Sequence, residues 1–242
     1  MTFFNQAIDT PNSLSLCFFK KIVSQIQSIF DFDWRACGLG KGARRKKTDS
    51  LPGNDAYYLV ASPPDFLPSG VVASERELSR LIASAKKDLQ VMVMDYYPLG
   101  YGGKEYYATI DNALREAAVR GVRVRLLVSH WNTAKPGVDH LKSLSLLPNV
   151  EVRIITIPEA SSGFIPYARV THSKTMVIDG AVAWVGTSNW TGGYMDNSRN
   201  LEIVMKDAGL ARKLKEIQDK AWAAPFTVPI EVAKEYPKPK KG

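Results

Sequence analysis

Cysteine and histidine are scarce in this chain, with two of the first and three of the second among 242 residues. Cys17 and Cys37 are too few for a disulfide scaffold or a zinc cluster, and nothing in their spacing requires them to pair. No apolar run is long enough to cross a bilayer. The apolar stretch 14–19 runs directly into Lys20 and Lys21, which suits neither a signal peptide nor a membrane anchor. The expectation is therefore an intracellular chain, or one whose N-terminal portion lies outside this sequence, with the compartment left open. No segment is repeated within the chain.

A hydrophobic fraction of 45% supports a substantial core, and the length suits one large domain or two small ones. The formal charge of +8 favours anionic partners: nucleic acid, phosphorylated molecules or acidic lipid surfaces. Part of it is concentrated at 41–47, with Arg44, Arg45, Lys46 and Lys47, and in the tail at Lys238, Lys240 and Lys241. Each stretch reads first as a solvated, flexible segment and second as a binding patch.

Residues before about Thr10 read as disordered, and 15–34 as an amphipathic helix on Phe18, Ile22, Ile26, Ile29 and Phe30. The glycine- and lysine-rich stretch 38–53 reads as a loop. Ordered structure is expected from about Ala56, with strands at 57–61, 89–94, 122–128 and 150–155. Helices are expected at 74–87, 105–120, stopped by Gly121, and 136–147. The first of these opens on the capping-box pattern Ser74-Glu-Arg-Glu77. A strand at 201–205 and a closing helix at 208–223, with Leu210, Leu214, Ile217 and Trp222 on its apolar face, complete the pattern. Alternating strands and helices imply a layered α/β sheet, and a late hairpin makes the sheet mixed. The division drawn is 1–55 as helix and basic linker, 56–226 as the folded domain, and 227–242 as a basic tail.

Chemistry concentrates in His172-Ser-Lys174, followed by Asp179-Gly180 and then Gly186-Thr187-Ser188-Asn189. On a strand, His172 and Lys174 at i and i+2 face the same way. A return strand at 181–185 carries Thr187, Ser188 and Asn189 back to the same end. A nucleophile, a fixed cation and small polar donors then converge where a phosphate can sit. An attacking imidazole also needs an acceptor for its other nitrogen, and Glu202, a carboxylate in an apolar run, is the candidate. Asp179 suits the turn with Gly180 better than it suits contact with phosphate. His130, in Ser129-His130-Trp131, either lines the cleft or belongs to an ordinary loop, whereas His140 reads as an exposed helix residue. Trp131 and Trp190 either stack on a base or pack in the core. Tyr96 and Tyr97 are similarly open.

At these residues the chain resembles the phospholipase D superfamily, whose signature is His-x-Lys, four residues, Asp, six residues, then Gly-Ser-x-Asn. Thr187 stands in the serine place and keeps the hydroxyl. Ala61-Ser-Pro-Pro64, Ile165-Pro-Tyr-Ala-Arg169 and Gly186-Thr-Ser-Asn-Trp190 are similar to the C-terminal half of the lysosomal phospholipase D-like exonucleases. The resemblance implies a mixed sheet flanked by helices on both faces, and phosphodiester cleavage through a phosphohistidine without metal or cofactor. It also implies His172 as a catalytic histidine, Lys174 and Asn189 as phosphate ligands, Glu202 as the histidine's partner and Gly186 as a structural glycine. Such enzymes bring two motifs together, and this chain holds one. The expected completion is a homodimer or an absent N-terminal half. Single-stranded nucleic acid is the first expected substrate, phospholipid the second. A catalytically dead module that only binds phosphate-bearing ligands is the alternative from a different class.

Overall fold

The computed structural model describes residues 13–39, 55–100, 103 and 105–241. The expected disordered start and the basic loop at 41–47 lie outside the described residues. In chain order the elements are α1 (Ser13–Leu39), β1 (Tyr57–Ser62), β2 (Val72–Ala73), α2 (Ser74–Ser84), β3 (Asp88–Val93), β4 (Tyr96–Tyr97) and α3 (Ala108–Val119). They continue with β5 (Arg123–Ser129), α4 (Gly137–Ser145), β6 (Val150–Ile155), β7 (Lys174–Ile178), β8 (Val182–Gly186) and β9 (Trp190–Thr191). The chain closes with α5 (Tyr194–Asn197), β10 (Asn200–Met205), α6 (Ala208–Trp222) and β11 (Thr227–Pro229).

One nine-stranded mixed sheet organises these elements, in the order β11-β6-β5-β3-β7-β8-β10-β1-β2. β3, β5 and β6 are parallel neighbours. β3 is buried along nearly its whole length, as a central strand covered on both faces should be, while β5 and β6 alternate apolar and charged residues over their first halves and become apolar towards their C-terminal ends. Antiparallel β7, β8, β10 and β1 extend the sheet from β3. Alternation along each strand sorts the core by face. Tyr58, Val60, Val91, Val93, Leu126 and Val128 join a core shared with Leu78, Leu114 and Leu141 of α2, α3 and α4. On the opposite face Leu59 and Ala61 pack on Ile29 of α1, while Met92 and Leu127 pack near Ala221 and Trp222 of α6. The sheet is therefore flanked by helices on both faces.

Local chemistry explains most of the boundaries. Gly121, at φ +87°, sits just past α3 and donates its N–H to Ala118, a left-handed stop that glycine adopts without strain. Asp207 caps α6 by accepting from the N–H groups of Gly209 and Leu210. Asp179 and Gly180 both take positive φ between β7 and β8, the conformation that Asp-Gly supplies in hairpins.

Four expectations need correction. In α1, Ile26 and Phe30 face outward with Val23 and Trp34, and the buried set is Ile22, Ile29 and Phe32; apolar residues on both sides of the helix hide its true inner face from periodicity alone. In α6, Leu210 and Ile217 are exposed, and Ala211 and Gln218 are buried with Leu214 packed beside them. Ser74 does not cap α2: its hydroxyl leaves the helix to meet Glu202, and Glu77 accepts from Tyr58 and Arg80. The boundary drawn at 226 falls just before β11, which pairs with β6, and the tail beyond it, though largely exposed, is tied to the domain at a few points. There Tyr236 packs on the core and Lys241 accepts an N–H from Tyr167.

Candidate active site

Strand register gathers the chemistry at one end of the sheet. Val93 pairs with Lys174, Thr175 with Val185, and Gly186 with Glu202. The C-terminal ends of β3 and β8 therefore meet the N-terminal ends of β7 and β10. β7 begins at Lys174, so His172 lies in the loop before it rather than on the strand. Met94 nevertheless donates its N–H to the Ser173 carbonyl, which holds that loop against the chain leaving β3.

His172 is exposed, whereas Lys174 is 5% exposed, and the lysine ammonium donates to the His172 carbonyl at 3.2 Å. Burial lowers the Lys174 pKa, and the carboxylate of Asp95 acts in the opposite direction. Asp95 directly follows β3, and burial raises its pKa while the charges of Lys241, Lys174 and His172 lower it. Asn189, buried at 1%, donates its Nδ2 to Asp95 Oδ2 at 3.1 Å and leaves Oδ1 without a hydrogen-bond partner among the described residues. One exposed imidazole, one buried ammonium, one amide and one carboxylate thus share a corner. An anion entering it would meet Lys174 and the second N–H of Asn189 while facing His172.

Of this corner, Asp95 also lines a cleft of about 390 Å³, which it shares with Tyr97, Trp131, Asn132, Thr191 and Lys241; His172, Lys174 and Asn189 lie beside the cleft rather than in its lining. Its floor is the parallel pairing of β4 with β9. Gly192 is required there, since a Cβ would fall 2.7 Å from both the Leu99 carbonyl oxygen and Gly100 Cα.

Glu202 does something other than expected. Its carboxylate accepts from the hydroxyls of Ser188 and Ser74, all three residues being almost wholly buried. Burial pushes its pKa up to about 7, against the lowering by those two hydroxyls. Gly186 makes room for it, because a Cβ there would lie 2.0 Å from Glu202 Cγ. The charge of His172 acts on Asp95, whereas both carboxylate oxygens of Glu202 are taken up by the serines. Ser188 is spent on Glu202 and does not reach the cleft. Thr187 likewise donates to Asn200 Oδ1 and accepts from the Leu201 N–H, bracing the loop to β10. Trp190 is core: at 1% exposure it meets Trp184 edge-on at 5.9 Å. Asp179 is distant from this corner, its carboxylate accepting the backbone N–H groups of Lys86, Lys87 and Asp88 at 2.8–2.9 Å. Burial acts to raise its pKa, and the three donors outweigh that effect and lower it.

Trp131 borders the cleft, with Lys241 Nζ 5.3 Å from its ring centre, and His130 lines a neighbouring cavity. His140 is half-buried and stacks on Tyr106 at 5.7 Å instead of standing free. Of the tyrosine pair, Tyr96 is buried against Asp111 while Tyr97 lines the cleft. Sequence reasoning missed Asp95, Ser74 and Lys241. A lone carboxylate just past the C-terminal end of an apolar central strand is the signal that marks Asp95. Nothing local marks the other two.

The family described as cardiolipin synthase, PLD-like domain, matches residues 78–222. The 5'-3' exonuclease PLD3 of Xenopus laevis is 38% identical over 172 residues, covering 66% of this chain and 35% of that protein. Phospholipase D Z of Dictyostelium discoideum is 34% identical over 187 residues, covering 74% of this chain and 44% of that protein. The chain thus spans well under half the length of these relatives. The crystal structure of Nuc from Salmonella typhimurium, a phospholipase D family member, shares the fold with a TM-score of 0.53 at 17% identity, covering 72% of this chain and 97% of Nuc.

Proposed function

Since this chain belongs to the phospholipase D superfamily, we propose that it supplies one half of a metal-independent phosphodiesterase acting on single-stranded nucleic acid. The observation that carries this reading is the corner where exposed His172 stands with buried Lys174 and Asn189 and half-buried Asp95. A fixed cation and an amide donor aimed at one point are what a phosphate's non-bridging oxygens need. The name of the exonuclease relative and the net charge of +8 support nucleic acid as the substrate.

In the first step a His172 ring nitrogen attacks phosphorus. The P–N bond forms, the bond to the leaving oxygen breaks, and a second histidine gives its proton to that oxygen. In the second step the same second histidine takes a proton from water, water oxygen attacks phosphorus, and the P–N bond breaks to regenerate His172. Lys174 and Asn189 hold the charged oxygens throughout. Asp95 accepts from Asn189 Nδ2, which holds that amide in place for the phosphate, and its charge offsets that of buried Lys174. One histidine cannot both attack and protonate in a single step, so the second comes from a second copy of this chain or from a further motif-bearing segment. The isologous pair is geometrically natural, because a self-complementary patch closes on itself. Phospholipid is the competing substrate, favoured by the name of the amoebal relative.

The test is cleavage of a fluorogenic phosphodiester in excess EDTA by wild type and His172→Ala. The expected loss is at least a thousandfold, and retained activity in the variant would overturn the assignment. Labelled single-stranded DNA and phosphatidylcholine vesicles assayed in parallel fix the substrate, with preferential lipid turnover refuting the nuclease reading. Sedimentation of the active species separates a pair of copies from a lone chain.

A further inference from the structure

A second cavity, of about 210 Å³, adjoins the catalytic cleft, and the reaction above makes no use of it. Its walls carry His130, Thr156, Phe164, Ile165, Arg169 and Lys240. The two cavities share a boundary: Trp131 borders the first, His130 lines the second, and their rings meet edge-on at 6.2 Å. Consecutive lysines serve them, Lys241 reaching into the first and Lys240 into the second.

We propose that this second cavity is a nucleotide subsite, taking the base and phosphate next to the scissile phosphodiester of a single-stranded nucleic acid. This rests on the functional reading above and extends it to residues outside the catalytic corner. Three kinds of chemistry meet there. The first is cationic. Arg169 spends its Nε on the Pro158 carbonyl at 2.7 Å, which fixes the guanidinium and keeps its outer N–H groups for an anion. Lys240 lies with Nζ 5.8 Å from the Phe164 ring centre, a cation positioned by a ring. Glu159 on the rim disfavours a second phosphate at the same place.

The second kind is aromatic and apolar. Phe164 and Ile165 are each 41% exposed, and Tyr167, 73% exposed, stands edge-on to Trp131 at 6.4 Å. Exposed rings interleaved with cations form a stacking platform for unpaired bases. A phospholipid headgroup offers the charge but no flat ring. The third kind is a polar atom in want of a partner. His130 Nδ1 is buried and has no hydrogen-bond partner among the described residues. Burial first, and Lys241 second, lower the His130 pKa, so the neutral ring can meet a donor or an acceptor on a base edge according to its tautomer.

The backbone adds an independent sign. Tyr167 and Arg169 both hold φ of +56°, the left-handed region that branched and bulky side chains avoid. Strain of that kind persists where the surroundings fix it, and it concentrates at ligand-binding segments. Here the Tyr167 N–H is fixed by the Lys241 carbonyl at 2.6 Å, the same tail that supplies the two lysines.

The experiment is fluorescence anisotropy of labelled oligothymidylate with the full chain on a His172→Ala background, so that the strand is not consumed. Phe164→Ala is expected to weaken binding about tenfold with the salt dependence unchanged, the loss of one stacked base. Arg169→Ala is expected to lower the slope of log affinity against log salt by about 0.7, the value for one single-strand phosphate contact. Arg169→Lys, which keeps the charge but loses the tether to Pro158, should restore that slope. Unaltered affinity and slope in both alanine variants would overturn the subsite. So would a loss confined to vesicles of phosphatidylserine and phosphatidylcholine, which would assign the cavity to lipid headgroups. Binding is read here without turnover, so its outcome stands apart from the cleavage assay: failure of cleavage in wild type refutes the functional reading, and unaltered binding refutes the subsite.

Discussion

Two carboxylates stand near the signature residues, and their surroundings assign them opposite work. Asp95 lies half-buried at the end of β3, within the field of Lys174, His172 and Lys241. Glu202 lies 1% exposed on β10, sealed by two serine hydroxyls, with no cation acting on it among the described residues. Burial raises the pKa of both, and only Asp95 has cations to offset it. The first is placed to act on charge in the cleft. The second ties β10 to the start of α2 through Ser74 and to the loop after β8 through Ser188, in the gap left by Gly186. A carboxylate in an apolar run draws the eye when the sequence is read alone. What decides its role is the partner the fold brings to it.

The sharpest way to break this contrast is Asp95→Asn. The amide keeps the shape and can still accept from Asn189, but the negative charge facing His172 and Lys174 is gone. Turnover should fall about a hundredfold to a thousandfold, the range seen when one preorganised electrostatic group of a site is removed. Stability should move by less than about 1 kcal/mol, as for a half-buried isosteric change. Activity within threefold of wild type would remove Asp95 from the mechanism and reopen the case for Glu202.

Glu202 should instead report through stability and pH. Its folded pKa of about 7 lies above the ordinary value of 4.5, so the folded state holds this proton more tightly than the unfolded chain does. The contribution is fully present below about pH 4.5 and is lost as pH rises to about 7, a difference on the order of 3 kcal/mol at 1.36 kcal/mol per unit. Glu202→Gln removes the titration, its oxygen still accepting from one serine while its Nε2 donates to the other. Denaturant melts between pH 4.5 and 7.5 should therefore show stability declining with pH more steeply in wild type than in the variant. Equal slopes would mean that Glu202 is not the buried titrating group described here.

The same contrast explains what could be read before any coordinates. The strands at 89–94, 122–128 and 150–155 and the intervening helices are legible because each is local: an apolar run, a period, a stop such as Gly121. The hairpin around Asp179 is legible because Asp-Gly states its own backbone. Asp95 is not, because 77 residues of sequence separate it from His172 and only the pairing of β3 with β7 closes that distance. Ser74 resembles a helix cap for the same reason: its real partner lies 128 residues away. β4, β9 and β11 are two or three residues long, too short to carry a period. Nothing in the composition of the tail foretells that Lys240 and Lys241 fold back onto Phe164 and Trp131.

The smallest effect should come from Thr187, which tests whether the segment after β8 binds substrate or braces it. Its hydroxyl accepts the Leu201 N–H at 3.2 Å and donates to Asn200 Oδ1 at 3.1 Å, and Asn200 in turn donates to the Ser198 carbonyl and the Ser62 hydroxyl. Thr187→Val keeps the shape and deletes both bonds, which should cost about 1 kcal/mol, with Thr187→Ser recovering most of it. If Thr187 braces, KM and kcat for the valine variant, measured well below its melting temperature, stay within about twofold of wild type. A KM raised tenfold while stability is unchanged would place the hydroxyl on the substrate phosphate, and would move Thr187 from the side of Glu202 to the side of Asp95.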